Sequence, residues 1–270
     1  ALTGDEGVTI TARYNAESGQ EEALKSEVFK VLRLKNEADF NVILGNMVFD
    51  YDGTGKEADV KLTDLKGIQT YTPIITYNGD PELPVAAGIY NISIFVKHNG
   101  SDLLVRKEKM QIKPREVYVK PKDALISYGE ELPATFEYTY SGFIGSDDFK
   151  AASAPTVKVA GTITGAGNYT LYVEGGDPGD NYTLVGGTGT LTVSKATLTI
   201  SAGTVDIVYG DEIPELKPVY TGFVGNDNPD ALNFIYTVKT KVNPVNAGSY
   251  DLIIDCLSSE EDNYAVTLLP

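Results

Sequence analysis

The stretch Ala196-Thr-Leu-Thr-Ile-Ser-Ala-Gly203-Thr-Val-Asp-Ile-Val-Tyr209 decides how this chain is read. From Ala196 to Ala202 every second residue is apolar and each one between is Thr or Ser. That is the period-two signature of a strand with one buried face. The same stretch occurs twice upstream, as Ala38-Asp-Phe-Asn-Val-Ile-Leu-Gly45-Asn-Met-Val-Phe-Asp-Tyr51 and as Arg115-Glu-Val-Tyr-Val-Lys-Pro-Lys-Asp-Ala-Leu-Ile-Ser-Tyr128. Each copy runs without a gap to a Tyr that opens a Gly-containing turn, and the Tyr-to-Tyr offsets are 77 and 81 residues. A unit of that size is long enough to bury a small core of its own. The expectation is therefore a string of like modules rather than one large domain.

Other segments repeat in step. Tyr90–Val96, Tyr169–Val173 and Tyr250–Ile254 alternate like strands, and each follows the same turn, Ala87-Gly-Ile-Tyr90, Ala166-Gly-Asn-Tyr169 and Ala247-Gly-Ser-Tyr250. The Gly is expected to supply a positive φ, and the Tyr to be the first inward-facing anchor of its strand. The second and third copies match further. Tyr140-Ser-Gly-Phe-Ile-Gly145 pairs with Tyr220-Thr-Gly-Phe-Val-Gly225, and Asp180-Asn-Tyr182 pairs with Asp262-Asn-Tyr264. Capping residues and helix formers after Gly145 and Gly225 predict one or two helical turns there. The first copy departs, its Val60–Tyr77 stretch reading as plain strand. Residues 1–37 read as the tail of a preceding module, with Glu21–Lys25 open to a helical start. After Val266, either the final strand is missing or Tyr264–Leu269 takes its place.

These residues resemble the tandem MBG domains of bacterial surface proteins. Tyr51-Asp-Gly-Thr-Gly-Lys56 looks like the YDG variety, while Tyr128-Gly-Glu and Tyr209-Gly-Asp look like the YGX variety. The likeness covers about residues 38–270 and divides the chain into an N-terminal tail (1–37), a YDG-type module (38–114) and two YGX-type modules (115–195 and 196–270). It implies mainly-β modules, a β-grasp-like form being one candidate, with short helix in the second and third. Nearly linkerless junctions at Pro114-Arg115 and Lys195-Ala196 predict an elongated rod. The family implies exported, adhesin-like bacterial proteins with no catalytic residue to carry over.

Composition narrows the partners. With 22 basic against 38 acidic residues the formal charge is −16, which argues against nucleic acid and against anionic lipid. No apolar run approaches the ~18 residues of a membrane-spanning helix, so no direct membrane insertion is expected. The chain begins with Ala and shows no signal peptide, and so reads as processed or excised. A single cysteine, Cys256, forms no internal disulfide and is expected on a core face or sheet edge. Such sparing use of cysteine is common in exported bacterial proteins, and an extracellular or cell-surface setting follows.

Chemistry is sparse. The only histidine, His98, has no second His or Cys nearby in sequence, so triad catalysis and a zinc site are not expected. The doublets Glu130-Glu131, Asp211-Glu212 and Glu260-Glu261 read as solvated turns rather than glycosidase pairs. Calcium is the metal to weigh, with Asp177, Asp180, Asp227 and Asp230 as weak ligand candidates lacking the EF-hand spacing. For a glycan platform the weak candidates are Tyr138 and Tyr172, both able to present an exposed ring. No cofactor is expected. The function this implies is a non-enzymatic spacer, stalk or adhesion display scaffold, facing an unknown protein or glycan on another cell or in the envelope. The alternatives are a glycan- or protein-binding adhesin module and an accessory region of a larger secreted enzyme.

Overall fold

The computed structural model describes residues 8–10, 27–29, 36–98, 100–150, 153–256 and 261–269. The chain is mainly β and divides into two compact units, one ending at Lys113 and the other beginning at Pro114. The described residues of the first unit form β1 (Val8–Ile10), β2 (Glu27–Phe29), β3 (Phe40–Leu44), β4 (Val48–Asp50), β5 (Val60–Asp64), β6 (Thr70–Tyr71), β7 (Ile74–Tyr77), β8 (Gly88–His98) and β9 (Ser101–Lys113). β1 and β2 pair antiparallel; Glu21–Lys25 lies outside the described residues. Asn36 caps a 3-10 turn over Glu37–Asp39, its Oδ1 accepting from Ala38 N at 2.9 Å, and β3 follows directly.

Two sheets are then built from alternating segments. One has the order β3-β5-β6, the other β4-β9-β8-β7. The repeated stretch Ala38–Tyr51 thus contributes β3 to one sheet and β4 to the other. Alternation along β8 sends Ile92, Ile94 and Val96 inward, and a core cluster of Phe40, Leu62, Val96 and Val105 receives Val42, Tyr71 and Leu103 against it. Each fully buried aliphatic side chain of this kind is worth roughly 1.5–3 kcal/mol. The Val60–Tyr77 stretch, expected as strand, is strand interrupted by turns.

The second unit runs β10 (Arg115–Pro121), β11 (Ala124–Ser127), β12 (Tyr138–Ser141), β13 (Thr156–Val159), β14 (Gly167–Glu174), β15 (Tyr182–Gly186), β16 (Thr188–Ser194), β17 (Ala196–Ser201), β18 (Val219–Thr221), β19 (Thr237–Thr240), β20 (Leu252–Asp255) and β21 (Tyr264–Leu269). Its first half repeats the two-sheet plan as β12-β10-β15 and β11-β16-β14-β13. β10 pairs antiparallel with β12 and parallel with β15. In the second half β17 pairs antiparallel with β18 and parallel with β21. Tyr264–Leu269 therefore stands where β15 stands, and not where β16 stands. Among the described residues the other sheet of this half is β19-β20 alone, and Val205–Val208, the counterpart of β11, is not a strand.

Among the described residues of the third module helical structure is one 3-10 turn, Pro229–Ala231, capped by Asn228, whose Oδ1 accepts from Asp230 N at 2.8 Å. After Gly145 the chain makes a turn closed by Asp147 N to Ile144 O at 3.0 Å; residues 151–152 of that predicted helix lie outside the described residues. The cores sit between the sheets. Val157, Leu171, Leu191 and Val193 form one, and Leu198, Ile200, Tyr236 and Tyr264 form the other. Cys256 packs on the latter, half-buried.

Candidate functional site

The polar side chains that recur in the second unit converge on one arrangement, a tyrosine held by an aspartate. Tyr182 and Tyr264, each from an Asp-Asn-Tyr segment, are buried at 8% and 2% exposure. The Tyr182 hydroxyl accepts from Ile144 N at 3.1 Å and donates to Asp147 Oδ2 at 2.5 Å. The Tyr264 hydroxyl accepts from Val224 N at 3.1 Å and donates to Asp227 Oδ2 at 2.5 Å. Phe143 and Phe223 pack edge-on against these rings, with centroids 4.8 and 5.6 Å apart. Each clasp thus ties the strand that runs parallel to the module's first strand to its Gly-Phe segment, satisfying a phenol that would be costly to bury unpaired.

Two glycines make the approach possible. Gly142 (φ 120°) and Gly222 (φ 113°) lie so close to the first strand that a Cβ would meet Glu116 O at 2.3 Å and Thr197 O at 2.5 Å. A positive φ and direct backbone contact together admit only glycine.

In the third module the clasp has an additional member. Tyr128, which ends the repeated stretch of the preceding module, donates to the same Asp227 Oδ2 at 3.1 Å. Its ring packs edge-on against Tyr264 at 5.7 Å. The next residue, Gly129 (φ 87°), fits so tightly that a Cβ would fall 1.8 Å from Val224 Cγ1. Ala166 N donates to Asn263 Oδ1 at 2.9 Å, and Lys195 Nζ donates to Glu261 O at 2.5 Å. Burial, then the hydrogen bond to Asp227, pushes the Tyr264 phenol up to about 12 and raises Tyr128 in the same direction. Both hydroxyls stay protonated and donating at neutral pH.

The comparisons with known proteins agree with this repeated construction. The family model of the MBG domain (YGX type) matches residues 117–192 and again 198–270, more than half of the chain. The chain belongs to the MBG domain family. Both matches are of the YGX type, and the YDG likeness of Tyr51–Lys56 rests on its residues alone. A search of the curated proteins finds no match.

Within the MBG modules the candidate residues fall as follows. Tyr138 is half-buried, packs on the Leu171–Leu191 core and lies 6.2 Å from Tyr140, centroid to centroid. Tyr172, on β14 of the other sheet, is 36% exposed and faces Lys158 and Thr188 in register. The structure does not put these two rings on one sheet. Asp177 Oδ1 accepts from Gly179 N at 2.9 Å and so closes its own turn, while Asp180 and Asp230 are exposed. Asp227 is taken up by Tyr128 and Tyr264. Among the described residues no three His, Cys, Asp or Glu side chains gather as a metal-ligand set. His98 is the last residue of β8, opposite Ser101.

Three expectations change. Tyr90, Tyr169 and Tyr250 are half-buried rather than fully inward, because each hydroxyl reaches back to the carbonyl four residues earlier, Ala86, Gly165 and Asn246, at 2.7, 2.8 and 2.8 Å. They clasp the turn that precedes them, and the Tyr needs its oxygen at the turn's surface. Of the neighbouring glycines only Gly167 (φ 152°) has positive φ; Gly88 and Gly248 do not, and a Cβ there would make ordinary contact with the Tyr ring. Glu261 is buried at 2% exposure instead of solvated. Its carboxylate accepts from Asn233 N at 2.5 Å and from the Tyr236 hydroxyl at 3.1 Å, so it organises the loop before β19. Glu260 lies outside the described residues.

The clasp was missed in sequence because its members are 35 to 37 residues apart in different elements. The signal was present nonetheless. Gly-Phe-x-Gly-x-Asp and Asp-Asn-Tyr recur together, in the same order and at separations that differ by two residues, in the second and third modules.

Proposed function

We propose that this chain is a non-enzymatic repeat segment of a bacterial surface protein, serving as a spacer or display scaffold outside the cell. The observation that carries it is the Tyr128–Asp227 bond, which fastens consecutive MBG modules side chain to side chain. Only Lys195 separates β16 from β17, and four further contacts lock the same junction. A joint with so short a linker and so many fixed contacts resists hinging, which is what a segment that holds something at a distance requires. The acidic surface and the surface-protein character of MBG domains support the same setting.

Backbone residual dipolar couplings of the full chain test this. Modules 115–195 and 196–270 are expected to share one alignment tensor. Two independent tensors would sink the spacer reading. The competing adhesin reading rests on the exposed ring of Tyr172. It requires specific retention on a glycan or host-protein array that Tyr172→Ala abolishes, whereas the spacer reading requires no such ligand.

A further inference from the structure

The third MBG module holds a groove of about 960 Å³ between the Gly203–Leu216 segment and the Thr240–Ile253 segment. In the second module that position is filled. There β16 runs between β11 and β14, parallel to the first and antiparallel to the second, with Leu191 opposite both Ala124 and Tyr169. Among the described residues nothing pairs with the corresponding edge of β20.

The lining shows the consequence. Ala124, Ile126 and Tyr128 pack against the buried Leu171–Leu191 cluster. Their counterparts Val205, Ile207 and Tyr209 are 48%, 46% and 73% exposed. Leu171 is fully buried, while its counterpart Leu252 is only half-buried. Three apolar residues on one wall, in the inward phase of a strand, and an unpaired strand edge on the other wall specify an extended peptide as occupant.

We propose that this groove is a strand-acceptor site. Its occupant is an extended segment of the composition of Thr188–Ser194, running parallel to Val205–Val208 and antiparallel to β20, with apolar side chains at the Leu191 and Val193 positions. A segment tethered directly after β21 fits it, because β16 follows β15 in the second module after Gly187 alone. Register is set by alternation, since a slip of one residue turns the apolar side chains to solvent.

The test appends a copy of residues 186–194 after Pro270. Amide exchange is compared with the unextended chain, alone and with the same nonapeptide added free. The extended chain should show at least tenfold slower exchange at Val205–Val208 and Tyr250–Ile254. The free peptide should produce the same protection only at high concentration, because tethering raises its effective concentration into the millimolar range. An extension with its alternation shifted by one residue should protect neither segment. Equal protection by the shifted extension, or none by the matched one, overturns the acceptor site. Saturation by free peptide at micromolar concentration overturns the dependence on a tether.

Discussion

The Tyr128 hydroxyl of one MBG module lies 3.1 Å from Oδ2 of Asp227 in the next, on a carboxylate oxygen that Tyr264 already holds at 2.5 Å. One acceptor thus serves a bond inside its module and a bond between modules. Tyr128→Phe removes only the second, and is expected to cost about 1 kcal/mol. Asp227→Ala strands both hydroxyls, one of them fully buried, and is expected to cost about 2–4 kcal/mol. In a urea-denaturation double-mutant cycle the two changes should be non-additive. Simple additivity would mean the crossing bond contributes nothing.

Glycine substitutions separate contact from backbone preference. Gly145 and Gly225 have positive φ (61° and 59°), and nothing lies within 4 Å of a Cβ there. Alanine at either should cost about 1 kcal/mol, the penalty of the left-handed region alone. Gly142→Ala and Gly222→Ala add a collision with a carbonyl oxygen and should cost several times more, enough to displace the Gly-Phe segment and break the tyrosine clasp. Thermal unfolding of the four variants checks this, and equal losses would show that the close approach is not tight.

Much of this fold was legible because strands announce themselves locally. Leu198 and Ile200 are fully buried where alternation placed them, and Ile92, Ile94 and Val96 likewise. Which strands pair was not legible, since the parallel bond of β10 with β15 joins residues almost seventy apart. Tyr250 shows the limit of a periodic pattern. It heads an alternating segment, yet β20 begins only at Leu252, where β14 in the filled module begins at Gly167. A strand needs a neighbour to complete its ladder, and periodicity says nothing about whether one is present. The functional side chains were harder still. Asp227 read as a calcium ligand because a carboxylate in a loop carries no mark of the hydroxyls that will reach it.

Glu261 is a buried carboxylate serving one backbone N–H and one phenol. Glu261→Gln keeps an acceptor oxygen and should be mild, about 1 kcal/mol. Glu261→Ala leaves Asn233 N and the Tyr236 hydroxyl without their acceptor and should cost about 2–4 kcal/mol. Hydrogen exchange at Asn233 reports the difference directly. Protection kept in the Gln variant and lost in the Ala variant is the expected pattern, and equal protection in both would mean that the loop is held by other contacts.

Alkali should undo the clasp before neutral chemistry does. Tyr264 is raised to about 12, first by burial and then by its bond to Asp227, and Tyr128 and Tyr236 are raised for the same two kinds of reason. An unfolded tyrosine titrates near 10. Below that pH both states keep the proton and the stabilisation is fully present. Above it the unfolded chain releases protons that the folded chain retains, so the folded state binds more and stability falls as pH rises. The window for Tyr264 runs from about pH 10 to 12. Denaturation free energies measured at intervals from pH 8 to 12 should therefore be level and then decline. In Tyr264→Phe the starting value is lower but the decline is shallower, because one of the responsible protons is gone. Every other group is common to both proteins, so the difference between the curves isolates the phenol. Parallel curves would show that Tyr264 ionises as readily folded as unfolded, and that its bond to Asp227 does not form.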